Sequence, residues 1–219
     1  MRKILLMVSV FPVLLFSQTP YDSLYLKSKF YASQIANYQL SRTKSADVVM
    51  LGNSITYGGN WNELLGRERI INRGIVGDNL PGILRRMNYV YALKPKLCFI
   101  MAGINDLYAD ASVDEILIRY AMVVDTLRAN AIIPVIQSTL HANPKWKRTE
   151  EKNPLVTQLN SKLKLFALQK HLEFINLDSL LSKNEILQDE YTTDGIHLTP
   201  QAYAVWRELL DAVLRKYGL

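Results

Sequence analysis

The sequence predicts an α/β domain built on a five-stranded parallel sheet covered by helices on both faces. Three observations carry this. Apolar runs of strand length alternate with segments of helical length five times along the chain. The first run, Asp47 to Leu51, is almost unbroken in apolar residues, as a strand buried on both faces is. Ser54, Gly77 and Asn105 stand just past the first three runs, on the edge where such sheets gather their ligands.

The 219 residues suffice for one domain with a single substantial core, and 49% hydrophobic with 21% charged residues is a globular composition. The first residues stand apart. Arg2 and Lys3 precede an apolar run from Ile4 to Phe16, with Ser17 after it, which reads as a secretory signal peptide cleaved after Ser17. As a membrane anchor the run is short and is interrupted by Pro12. The expectation is an exported protein, periplasmic or extracellular, with no stable membrane anchor after cleavage. The net charge of +6 falls to +4 without Arg2 and Lys3, and the basic residues are scattered apart from Lys145-Trp146-Lys147-Arg148. That is no nucleic-acid footprint. Cys98, the only cysteine, permits no internal disulfide and lies in an apolar run, where it reads as a small buried hydrophobe.

Each element follows from local signals. Residues 21–42 carry an imperfect apolar stripe at helical spacing and predict a helix packed outside the domain. The first strand delivers Ser54, and a glycine-containing segment with Trp61 leads to a short second strand, Ile70 to Asn72. Asp78 or Asn79 can cap a helix that has Pro81 in its first turn and is stopped by Lys94-Pro95. Strand three, Leu97 to Ala102, ends in Gly103-Ile104-Asn105-Asp106. Ser112 and Glu115 form a capping box for a helix reaching Asn130. Strand four, Ile132 to Ile136, contains Pro134, which suggests a less central position or a distortion. The loop from Gln137 to Lys152 is long enough to bind a ligand. Asn153-Pro154 then reads as the start of a helix to His171, Glu173 to Leu177 as strand five, and Thr199-Pro200 as the start of the last helix.

A serine hydroxyl needs a base to take its proton, and the base needs an orienting group. His197 is the candidate base, with Asp194 three residues away to hold its ring, although Asp194-Gly195 is also a plain turn sequence. His171 ends a helix, where a histidine complements the dipole, and His141 lies in the long loop, where it can contact substrate or simply sit on the surface. Acyl transfer also needs donors for a developing oxyanion. The backbone N–H groups of Ser54 and Gly77 and the side-chain amide of Asn105 can supply them.

Leu51-Gly52-Asn53-Ser54, Asn72-Arg73-Gly74-Ile75-Val76-Gly77-Asp78, Gly103-Ile104-Asn105-Asp106 and Asp194-Gly195-Ile196-His197-Leu198-Thr199 resemble, in order, the four blocks of the GDSL/SGNH hydrolase family. The resemblance implies a flavodoxin-like, three-layer α/β/α serine esterase that needs no metal or other cofactor. It gives Ser54 as nucleophile, Gly77 and Asn105 as oxyanion donors beside Ser54, His197 as base and Asp194 as its orienting acid. It divides the chain into a signal peptide at 1–17, a helical extension at 18–45 and a hydrolase domain at 46–219. Asn53 departs from the family's aspartate, and Ile55 from its leucine.

Exported relatives commonly remove acetyl groups from sugars, so a carbohydrate acetyl ester is the expected substrate. Tyr57, Trp61 and Tyr108, together with His141, are candidate substrate contacts, and Trp146 is a further loop aromatic near the site. The same chemistry would serve a lysophospholipase, thioesterase or short-chain lipase. A non-catalytic glycan-binding module is the reading from another class, and the presence of Ser54, Asn105 and His197 together argues against it.

Overall fold

The computed structural model describes residues 20–219, so the signal-peptide reading lies outside the described residues. Among those described, no helix is long and apolar enough to cross a membrane. The segment expected as one helix is two pieces: a 3-10 helix at Pro20–Lys27 and α1 at Lys29–Leu40. Ser28 breaks it with extended backbone (φ −79°, ψ 117°) and donates its hydroxyl to the carbonyl of Val76 at 3.0 Å. The apolar stripe is imperfect because the two pieces are fastened separately. Tyr25, Tyr31 and Tyr38 are buried around Ile75, and two of the phenols reach backbone carbonyls, Tyr31 that of Gly82 and Tyr38 that of Gly74.

The remaining elements run β1 (Val48–Gly52), α2 (Ser54–Tyr57), α3 (Trp61–Leu65), β2 (Ile70–Gly74), α4 (Leu80–Arg85), α5 (Asn88–Tyr91), β3 (Leu97–Met101) and α6 (Ile104–Tyr108). After them come α7 (Val113–Ala129), β4 (Ile133–Gln137), α8 (Thr149–Lys170), β5 (Glu173–Ile175), α9 (Asp178–Leu181), β6 (Ser182–Lys183), β7 (Ile186–Leu187) and α10 (Pro200–Lys216). The five main strands are parallel in the order β2-β1-β3-β4-β5. Gly52 pairs with Gly74 on one side and Met101 on the other, so three strands end level with one another. That register sets the loops carrying Ser54, Gly77 and Asn105 along one edge.

The period of two along β1 divides its side chains between two cores. Val49 and Leu51 join α4, α7 and α8, while Val48 and Met50 join α3, α9 and α10 around Trp61 and Trp206. Each of these four strand residues is buried, a contribution of roughly 1.5–3 kcal/mol apiece. The result is the predicted three-layer α/β/α sandwich.

Several boundaries differ for identifiable reasons. The helix expected to follow Asn79 is split into α4 and α5 at Arg86, whose side chain turns inward. Pro134 lies in an interior strand, not a peripheral one. Ile133 N–H donates to Lys96 on the β3 side, so the next residue's donor would face β5, whose pairing begins only at Val135. The proline therefore costs no ladder bond. Helix α8 starts at Thr149, earlier than expected, because Asn153 spends its amide on Ala142 (2.9 Å to both its N–H and C=O) rather than on a cap. The expected caps at Asn79, Ser112 and Thr199 are all present, the second as a full capping box.

Candidate active site

Asn53 follows β1 and caps α2, its side chain accepting from Ile55 N–H at 3.0 Å. Ser54 is therefore the first residue of a helix, where backbone N–H groups have no carbonyl one turn back. Capping needs only an acceptor oxygen, so the amide of Asn53 serves without a charge. The short helix is held from three sides. Tyr203 donates to the Ile55 carbonyl at 2.7 Å and Trp61 to the Thr56 carbonyl at 2.9 Å. The Asn72 amide reaches the carbonyls of Thr56, Tyr57 and Gly59 at 3.0–3.1 Å.

His197 comes from a tight loop closed by the Thr192–Leu198 bridge. Asp194 accepts the N–H groups of Ile196 (3.0 Å) and His197 (2.8 Å) on Oδ1, and its Oδ2 lies 2.6 Å from His197 Nδ1. His197 Nε2 lies 3.1 Å from Ser54 Oγ. With Nδ1–H given to the carboxylate, Nε2 is left as the acceptor for the serine proton. Partial burial works upward on the Asp194 carboxyl, but its bonds to the His197 ring and to the two backbone N–H groups hold it below the usual carboxylate range. Gly195 takes φ +105°, and a Cβ there would stand 2.5 Å from Trp146 N. The long loop after β4 thus packs directly on the histidine loop: Asn143 N–H donates to Gly195 O at 2.8 Å, and Trp146 meets the His197 ring edge-on at 6.1 Å.

On the opposite side, Asp78 N–H donates to Ile75 O at 3.1 Å, closing a turn with Gly77 in its third position at φ +74°. That value belongs to glycine in a type II turn. Asn105 donates to the Asp78 carbonyl at 2.7 Å, tying the two proposed oxyanion arms together. A fully buried ion pair supports the turn. Arg86 donates to Asp78 (2.7 Å), Arg73 O (2.7 Å) and Gly52 O (2.9 Å), linking the ends of β1 and β2 to the turn. Asp106, also fully buried, accepts from Leu80 N–H at 2.9 Å and from the Tyr21 hydroxyl. Burial pushes its pKa up to about 6 against the pull of those bonds.

Ser54, Asp194 and His197 are brought together, and Gly77 and Asn105 are joined through Asp78. The candidate substrate contacts fare differently. Trp61 is corrected: it is 1% exposed, packed against Tyr203 and Trp206 in the second core, and has no face for a ligand. Tyr108 is half-buried against the first core with its hydroxyl buried. His141 is corrected as well. It is buried, bonded to Asp178 (2.8 Å) and Thr157 (2.9 Å), and lines a cleft with Lys164, Asn176 and Glu185 that none of Ser54, Asp194 or His197 lines. Tyr57 alone of the four is exposed. The residues that sequence reasoning missed are Arg86, Asn72 and Tyr21. Arg85 stands beside Arg86 in the same helical segment, so nothing in the sequence singles out the first.

The model of the GDSL-like Lipase/Acylhydrolase family matches residues 50–205. A GDSL-like lipase from Bacteroides thetaiotaomicron has 25% identity and superposes with a TM-score of 0.74 over 85% of this chain and 98% of its own. An acetyl-xylooligosaccharide esterase from a Geobacillus species shares the fold at 16% identity, with a TM-score of 0.63 over 81% of this chain and 97% of its own. The N-acylneuraminate cytidylyltransferase of Streptococcus agalactiae is 25% identical over 159 residues, 73% of this chain; the chain spans only 36% of that relative's length. A family match over most of the chain, on a fold that joins a serine, a histidine and an aspartate, means that the protein belongs to the GDSL-like lipase/acylhydrolase family and is an ester hydrolase.

Proposed function

We propose that this esterase removes short acyl groups, acetyl above all, from carbohydrates through an acyl-serine at Ser54. The observation that carries the chemistry is the unbroken chain from Ser54 Oγ through the His197 ring to Asp194. His197 takes the serine proton as Oγ attacks the ester carbonyl, and Asp194 stabilises the imidazolium that forms. The oxyanion is met by the N–H groups of Ser54 and Gly77 and by the Asn105 amide, each donor being worth roughly 3–4 kcal/mol of barrier. His197 then gives its proton to the leaving alcohol. A water, deprotonated in turn by His197, hydrolyses the acyl-serine and restores the hydroxyl.

The substrate reading is supported by the shared fold of an acetyl-xylooligosaccharide esterase. The test compares wild type with Ser54→Ala on acetylated xylo-oligosaccharide and on p-nitrophenyl esters of increasing chain length. Acetyl release by wild type, falling with chain length and lost in the variant, is expected. Full activity in Ser54→Ala would sink the mechanism. A preference for long acyl chains with no release from sugars would sink the substrate.

A further inference from the structure

A small cleft of about 230 Å³ opens between α1 and α2. Helix α1 contributes Phe30, Ser33, Gln34 and Asn37, and the opposite wall is Tyr57 with the Ile75–Val76 backbone. The four α1 positions follow the i, i+3, i+4, i+7 spacing of a single helical face. Tyr31 and Tyr38 bury the other face, so the cleft wall is held firmly. None of Ser54, Gly77, Asn105, Asp194 or His197 lines it, but its far wall carries two residues that adjoin them along the chain. Tyr57 lies one turn along α2 from Ser54, and Val76 is the residue before Gly77. Ser28 fixes this edge through its bond to the Val76 carbonyl.

We infer that this cleft is the leaving-group subsite and that it takes the sugar ring of the acylated substrate, a deepening that rests on the proposed function above. The lining suits a neutral polyhydroxyl ring. Two exposed aromatics, Phe30 at 58% and Tyr57 at 46%, offer flat apolar surfaces. Between them the Asn37 amide donates to Gln34 Oε1 at 3.0 Å, which fixes both heads. One Gln34 N–H is turned to Tyr38, which leaves its second N–H as donor and the Asn37 carbonyl as acceptor, a pattern that neighbouring hydroxyls satisfy. No charged side chain lines the cleft, in a protein of net charge +6, so a phosphate headgroup finds no partner there. The volume lies below the roughly 300–1,000 Å³ of drug-sized ligand sites and suits one ring better than a long acyl chain.

The test uses the whole protein with Gln34→Ala, Asn37→Ala and Phe30→Ala, substitutions that a half-buried or exposed helix surface tolerates. Steady-state kinetics are measured on acetylated xylo-oligosaccharide and on p-nitrophenyl acetate, whose leaving group carries no sugar. The ratio of kcat/KM for the sugar ester to that for p-nitrophenyl acetate should fall at least tenfold, chiefly through KM. In the Ser54→Ala background, Asn37→Ala should raise the Kd for the same oligosaccharide by a similar factor. An unchanged ratio and Kd in a wild type that deacetylates the sugar would overturn the cleft and leave the proposed function standing. A wild type that cleaves p-nitrophenyl acetate but releases no acetate from sugars would overturn both.

Discussion

Two hydroxyl–imidazole–carboxylate chains stand in this protein with nearly the same spacing. In one, Ser54 lies 3.1 Å from His197, whose other nitrogen lies 2.6 Å from Asp194; in the other, Thr157 lies 2.9 Å from His141, which lies 2.8 Å from Asp178. Their surroundings differ. Ser54 opens a helix and has unspent backbone donors beside it, whereas Thr157 lies in the interior of α8, where N–H groups are committed to the helix. The Thr157 hydroxyl also meets the Glu185 carboxylate at 2.8 Å, a negative charge beside any oxyanion that formed there. The His197 side chain is 42% exposed and the His141 side chain 6%. Asp178 accepts in addition from His141 N–H and the Ser182 hydroxyl, which knits strand-end loops together. Spacing alone, then, does not make a reactive centre; unspent donors, a missing carboxylate and access do.

The most forceful way to break this contrast is to remove the hydroxyls. Ser54→Ala should lose on the order of 10⁴–10⁶ in kcat, as serine hydrolases do when the nucleophile is deleted. Thr157→Val should keep its esterase rate within about twofold, since nothing in the chemistry uses it. A large loss in Thr157→Val under the same ester assay would mean that the second chain takes part.

Removing the bases should separate rate from stability. His197→Ala is expected to cost at least about 10³ in kcat with little change in Tm, because its ring is partly exposed. His141→Ala takes the partner from buried Asp178 Oδ2, while Thr157 keeps its bond to Glu185, and should cost roughly 1–3 kcal/mol of stability for the one oxygen left unpaired. Urea titration of both variants checks this, and equal losses of stability would erase the distinction. A gentler probe is Asp194→Asn, which keeps the shape but lets the ring adopt the wrong tautomer. A fall of about 10²–10⁴ in kcat at unchanged KM is expected from single-turnover and steady-state kinetics.

The pattern of what was legible in the sequence follows the same physics. Ser54, Gly77 and Asn105 lie in short strings at the ends of predicted strands, and the Asp194–His197 pair in a string just before the last helix. A parallel sheet brings such strings to one edge whatever the details of packing. The sheet itself was legible because buried strands need unbroken apolar runs. Trp61 was misread because its flanking glycine and asparagine suggest a loop, while its place is decided by Tyr203 and Trp206, far along the chain. His141 was misread for a like reason: its partner Asp178 is 37 residues away. The Tyr21–Asp106 and Asp78–Arg86 contacts likewise exist only once helices have docked. The break at Ser28 left a trace, an apolar stripe that fits one helix poorly, but nothing local says where it points.

The smallest expected effect concerns Asp106, and it keeps pH dependence of stability from being mistaken for titration of either imidazole chain. Its folded pKa of about 6 lies above the ordinary carboxylate value of 3.8. Below pH 3.8 both folded and unfolded states hold the proton and the contribution to stability is fully present. As pH rises through about 6 the folded protein must ionise a group with no exposure to water, and that contribution, at most about 3 kcal/mol, is lost. Asp106→Asn can still accept from Leu80 N–H and Tyr21 but cannot ionise. The difference in Tm between wild type and Asp106→Asn should therefore shift steadily against wild type from pH 4 to about 7 and then level off. At this chain length each kcal/mol moves Tm by roughly 2–4 °C, a shift that calorimetry resolves. A difference that stays flat across that range would mean that Asp106 does not titrate there, and that any sloping stability profile belongs to other groups.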